Sequence, residues 1–232
     1  MKRQLILLLF LLFTANFTFA QKMYEIQNSL DFFKVNKLNS GDWNNMLTAN
    51  DIEGSPYLNE EFVPGTIYTT SKQKYVDVPL RYNIYNDQME FKTPENKVMA
   101  MAVPEIIEAI EIGNLKMVYI SYSNSKKVLH GFFKVLAEGE ASLYSKSNVV
   151  FKDAEKSKGY DEPEPARFVK QADVYYIRLG AGPAKKVRNK KDLNKIFTAH
   201  KSEITSFIKK NKVKPNKPEK LKKLVLYYNS LD

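Results

Sequence analysis

The sequence predicts an α+β fold: an antiparallel β meander, sandwich- or half-barrel-like, with a C-terminal cap of short helices. Three observations predict it. Apolar and polar side chains alternate in short runs from Gly65 to Val187, the period of half-buried strands. Turn-forming pairs separate those runs at Asn86-Asp87, Gly113-Asn114, Glu138-Gly139 and Gly180-Ala181-Gly182. After Asn189 the apolar spacing changes to that of helices, and strands followed by helices argue for segregated α and β layers. With 44% hydrophobic and 27% charged residues over 232 positions, the chain can bury a core, and disorder, collagen and coiled coil are excluded.

The elements follow in order. In residues 21–64, an N-terminal lead-in, Ile26, Leu30 and Phe33 suit a short helical turn, and the remainder reads as extended. The β domain is placed at 65–188, with strands over 66–70, 75–78, 80–85 and 89–91. A tight hairpin joins 107–112 to 115–122 across Gly113-Asn114, a pair that supplies the positive φ of a two-residue primed turn. Asn114→Val is accordingly expected to destabilise it. Pro104 could instead open a short helix over 104–110, but the segment runs straight into turn residues and is read as strand. Strands over 128–137, 141–144 and 148–151 continue the meander. Residues 152–166, with Gly159, Pro163 and Pro165 among charges, read as a surface loop, and 173–179 pairs with 184–187.

The cap, 189–232, opens at Asn189, a fair N-cap with Asp192 three residues on, and Leu193, Ile196 and Phe197 form its first apolar stripe. Ile204, Phe207 and Ile208 mark a second helix. Leu221, Leu224, Val225, Tyr228 and Leu231 mark a third, which begins at Pro218 and is expected to dock on the β body.

Residues 1–20 read as a signal peptide: Lys2 and Arg3, an unbroken apolar run over 5–13, then Thr18-Phe19-Ala20 before Gln21. Nine apolar residues fall well short of the roughly 20 that span a bilayer, so the expectation is an exported, periplasmic or secreted product cleaved after Ala20. The formal net charge is +10, and it is unevenly placed. From Pro183 onward, 15 Lys and Arg face 4 Asp and Glu, whereas from Gln21 to Gly182 the balance is 19 to 22. Lys209, Lys210, Lys212, Lys214, Lys217, Lys220, Lys222 and Lys223 are the candidate basic patch, with the three lysines of the last helix expected to stay wet. Export turns the partner from nucleic acid toward anionic envelope surfaces, a ligand or a protein.

Chemistry is sparse. There is no cysteine, which removes thiol catalysis, disulfides and cysteine-ligated metals. His130 and His200 stand apart without metal-ligand spacing, and His130, mid-strand, reads as a structural residue. No serine occupies a nucleophile elbow, and Gly180-Ala181-Gly182 leads into a strand, unlike a phosphate loop. The carboxylate pairs Glu60-Glu61 and Glu138/Glu140 sit beside turns, where acids are ordinarily solvated. Strand tyrosines Tyr82, Tyr85, Tyr119, Tyr122, Tyr175 and Tyr176 read mainly as packing. No catalytic, cofactor-binding or metal-ligating residue is singled out, and no cofactor is expected.

The segments DIEGSPYLNEEF (51–62) and VPLRYNIYNDQMEF (78–91), with KKDLNKIF (190–197) and KLKKLVLYYNSL (220–231), resemble a family of uncharacterised exported proteins of Bacteroidota-type bacteria. That resemblance implies export and carries no site residue. The functional expectation is a non-enzymatic envelope protein binding an apolar or glycan ligand or a protein partner. The alternative is a periplasmic hydrolase with a dispersed acidic or serine site.

Overall fold

The computed structural model describes residues 52–125, 127–155 and 164–231. The expected signal peptide, the helical turn at Ile26 to Phe33 and part of the 152–166 loop lie outside them. Among the described residues eleven strands form one sheet: β1 Ile52–Glu53, β2 Val63–Thr69, β3 Lys74–Asn83, β4 Gln88–Lys92, β5 Val98–Ala100, β6 Ile107–Ile112, β7 Leu115–Asn124, β8 Lys127–Ala137, β9 Ala141–Lys152, β10 Ala166–Leu179 and β11 Ala184–Lys186. Three helices follow: α1 Lys190–Ile196, α2 Lys201–Lys210 and α3 Pro218–Tyr228.

Antiparallel pairing dominates, as the alternation predicts, but the path is more than a meander. β6 returns to lie beside β2, and β5 is left at the outer edge. Two short pairings are parallel, β1 with β10 and β11 with β7. The second closes a ring. β7, β8, β9 and β10 pair in succession, and β11 joins β10 back to β7 at Ala184↔Tyr122 and Lys185↔Ser123. The result is a five-stranded barrel from which β6, β2, β3, β4 and β5 extend as an open wing.

The two faces of the barrel strands supply different cores. Phe133, Tyr144, Tyr176 and Ala184 fill the inside with edge-to-face rings, Phe133 lying 5.1 Å from Tyr176 and 5.2 Å from Tyr122. On one outer flank the wing's Leu80, Met89, Ile110 and Ile112 pack on Met117, Phe132 and Val149. On the other, all three helices cover Ala141, Leu143 and Ile177.

The predicted hairpin across Gly113-Asn114 forms, with Ile112 opposite Leu115. Its positive φ, however, belongs to Gly113 alone, at +56°, and Asn114 is not in the left-handed region. The expected conformational burden on Asn114 is therefore corrected. A single 3-10 turn, Pro104–Ile106, precedes β6, so the proline opens one turn before the strand takes over. The strands expected at 75–78 and 80–85 form one element, as do those at 141–144 and 148–151. β10 starts at Ala166, well before the expected 173. A bulge between Gln171 and Val174 breaks its alternation and hid the first half.

The cap is as its spacing predicts. The Asn189 side chain accepts from the Asp192 amide at 3.1 Å while the Asp192 carboxylate accepts from the Asn189 amide at 3.3 Å, a reciprocal capping box. Leu221, Leu224, Val225 and Tyr228 are buried against the barrel, and Leu231, beyond the helix end, still packs on that cluster. Asn229 ties the helix down. Its side chain accepts from the Ala141 amide at 2.8 Å and donates to the Ala141 carbonyl at 2.9 Å.

Candidate functional site

β8 and β9 pair only from Lys134↔Ser145 to Ala137↔Leu143, and beyond that the two strands part. Splayed strands leave backbone groups without ladder partners, and a buried amide so left costs about 1–3 kcal/mol. The turn between β3 and β4 fills the gap. Asn83, fully buried, accepts from the Asn86 amide at 3.0 Å, and Asp87 takes a left-handed φ of +53° that an acidic residue tolerates. The Asp87 carboxylate is thereby aimed at the barrel. Its Oδ1 accepts from the Tyr82 hydroxyl at 2.6 Å and from the Phe132 amide at 3.2 Å. Its Oδ2 accepts from Lys146 Nζ at 2.7 Å.

Lys146 projects from β9 at the barrel mouth, with Nζ 4.7 Å from the Phe133 ring centre and 5.4 Å from that of Tyr122. It also donates to the Phe132 carbonyl at 3.2 Å. Burial pulls the lysine pKa below its usual value, and the Asp87 charge and hydrogen bond oppose that fall without cancelling it. Burial, then Asp87, drives the Tyr82 hydroxyl well above its usual range. Gly131 makes the junction possible. A Cβ there would collide with both the Asp87 carboxylate and the Lys146 ammonium.

Outside this latch lies a cleft of about 400 Å³. Asn86, Asp87 and Gln88 of the β3–β4 turn and the start of β4, Met101, Ala102, Pro104 and Glu105 of the segment between β5 and β6, and Tyr119, His130 and Phe132 of β7 and β8 line it. Tyr119 and His130 are stacked, with centroids 6.1 Å apart at 21°. Tyr119 is also edge-on to Phe132 at 5.0 Å. Burial raises the Tyr119 hydroxyl pKa, helped by the charges of Glu105 and Asp87, so it stays a neutral donor through the physiological range.

Of the residues the sequence singled out, His130 lies within β8 as expected, exposed, stacked on Tyr119 and lining the cleft. His200 caps α2 at φ +50° with its ring 6.0 Å from Tyr228. Glu60 and Glu61 are exposed in the segment before β2, and Glu138, at the other end of β8 from the cleft, pairs with Lys116 at 2.7 Å. Neither carboxylate pair lines this cleft. Lys209, Lys210, Lys212, Lys214, Lys217, Lys222 and Lys223 are exposed on the cap. Lys220 differs from the wet lysine expected. Its Nζ donates to the Asn211 carbonyl at 2.9 Å and the Lys212 carbonyl at 3.3 Å, closing the end of α2.

Asp87, Lys146 and the cleft escaped the sequence reading because the pair is 59 positions apart. One signal was present: an isolated glycine, Gly131, inside a strand pattern marks a close approach of another group. Among the described residues, no group of three His, Cys, Asp or Glu could hold a metal. Compared with known proteins, the chain matches no family, no curated protein sequence and no solved structure.

Proposed function

We propose that this chain is an exported, non-catalytic binding protein of the envelope, and that its cleft takes a hydroxyl-rich ligand, a glycan. The observation that carries the ligand class is the cleft wall. A stacked Tyr119-His130 pair shares the cleft lining with Asn86, Gln88 and Glu105, so aromatic surface and hydrogen-bonding side chains come together in one cleft. Such a combination suits a ring with an apolar face and a hydroxyl rim. An apolar passenger is disfavoured, since it would have to displace Phe133, Tyr144 and Tyr176 from the barrel interior. A hydrolytic reading gains nothing from Asp87, whose two oxygens are engaged by three donors. Export rests on the charged start, the apolar run and Ala20 before Gln21. N-terminal sequencing of exported protein should begin at Gln21.

The test of the ligand class is calorimetric titration with neutral cello-, chito- and malto-oligosaccharides. At least one should bind, and Tyr119→Ala should weaken it about tenfold, the loss of about 1.4 kcal/mol. Cleavage of an oligosaccharide that Glu105→Gln abolishes would move the protein to the hydrolase class. Absence of binding across the panel would overturn the glycan reading.

A further inference from the structure

We propose that the outer face of the C-terminal cap is a docking surface for an anionic phospholipid bilayer, with lysines meeting headgroups and Leu226 entering the acyl boundary. The residues concerned are remote from the cleft, and the inference is independent of what the cleft binds.

Unpaired charge is the first support. Lys209, Lys210, Lys212, Lys214, Lys217, Lys222 and Lys223 are all exposed, and among the described residues none of them is in an ion pair. The acids nearby are partly committed: Asp192 to the α1 capping box and Glu203 to the Ser202 hydroxyl at 2.8 Å. Seven unneutralised cations repel one another, and an anionic partner relieves that repulsion.

Charge alone would equally suit a solvated face or a soluble polyanion. Leu226 decides between them. α3 buries Leu221, Leu224, Val225 and Tyr228 against the barrel, so the opposite face points outward. Leu226 lies on that outer face and is 49% exposed. Lys222 and Lys223 precede it by four and three positions, which puts all three side chains together one turn apart, with Glu219 the single acid there. An exposed leucine flanked by Lys222 and Lys223 gains nothing from a polysaccharide. At a bilayer surface it removes apolar area from water while lysine stems lie along the interface with their charges at the headgroups. Among the described residues no helix is long and apolar enough to cross a membrane, so the contact lies on the bilayer.

The experiment is co-sedimentation of the full chain with vesicles of phosphatidylcholine alone and of phosphatidylcholine mixed with phosphatidylglycerol. The apolar run at 5–13 with Lys2 and Arg3 is common to every variant, so the difference between wild type and the cap variants on anionic vesicles reads the cap. Wild type should prefer anionic vesicles by about tenfold or more at low salt. That preference should fade as the Debye length shrinks from about 10 Å at 0.1 M to about 3 Å at 1 M. Changing Lys209, Lys210, Lys217, Lys222 and Lys223 together to Gln should remove most of the preference, leaving what Lys2, Arg3, Lys212 and Lys214 supply. Leu226→Ala should lower binding about threefold and leave its salt dependence intact. Because these side chains are exposed, circular dichroism should show every variant folded. Equal partition of wild type and the lysine variant would overturn the proposal. So would an unaffected Leu226→Ala variant whose binding is competed away by soluble alginate, which would assign the surface to a polysaccharide.

Discussion

Replacing Asp87 by Ala removes one carboxylate and strands three donors at once: the Lys146 ammonium, the Tyr82 hydroxyl and the Phe132 amide. Removing one partner of a buried pair costs about 3–5 kcal/mol, because the other charge is left in a poor solvent. The side chains here keep 28% and 18% exposure for Asp87 and Lys146, so water screens part of the loss and the low end applies, about 3 kcal/mol. For a chain of this size that is a fall in Tm of about 6–12 °C. Lys146→Met should cost much less, about 1 kcal/mol, since the thioether can lie on the Phe133 and Tyr122 rings and Asp87 keeps two hydrogen-bond donors. The double variant Asp87→Asn with Lys146→Met should lose less than the sum of the single changes, because the second removes the charge that the first strands. Urea unfolding followed by far-ultraviolet circular dichroism measures all four. The reasoning fails if Asp87→Ala stays within about 0.5 kcal/mol of wild type. It fails equally if Asp87→Asn costs as much in the Lys146→Met background as alone, for then the pair is not coupled.

At the β6–β7 turn, Gly113→Ala should cost about 1–2 kcal/mol by forcing a Cβ into the left-handed region, whereas Asn114→Val should cost clearly less; equal losses in urea unfolding would contradict the assignment of positive φ to Gly113. On the outer barrel face, burial alone would raise the Asp173 pKa, but hydrogen bonds from Lys134, Ser145 and Ser147 with the Lys134 charge outweigh it and hold the pKa below the usual value. The stability this carboxylate contributes is therefore complete above its unfolded pKa of about 3.9 and lost as pH falls through the lower folded value. Asp173→Asn should be less stable than wild type from pH 7 down to about pH 4, and the gap should close below that; a gap that widens in acid would reverse the sign.

The local elements were legible because their causes are local. Alternation put Leu80, Tyr82 and Ile84 on buried positions, and the helical stripe of Leu221, Leu224, Val225 and Tyr228 identified its buried face without reference to what covers it. The capping box at Asn189 and Asp192 spans four residues and was readable in full. The bulge in β10 was not, since an extra residue breaks the period that reveals a strand.

What the sequence determined by itself is the order of the main strands and of the three helices, the buried stripe of the last helix and the gathering of positive charge at the C-terminal end. Those depend on side-chain period, turn chemistry and composition, all set within a few residues. Closure of the barrel through β11, the return of β6 to β2 and the meeting of Asp87 with Lys146 were decided only by tertiary structure. Each joins segments far apart in the chain, and each answers a demand that exists only in three dimensions: an open edge to be paired, an apolar face to be covered, or an amide stranded where two strands part.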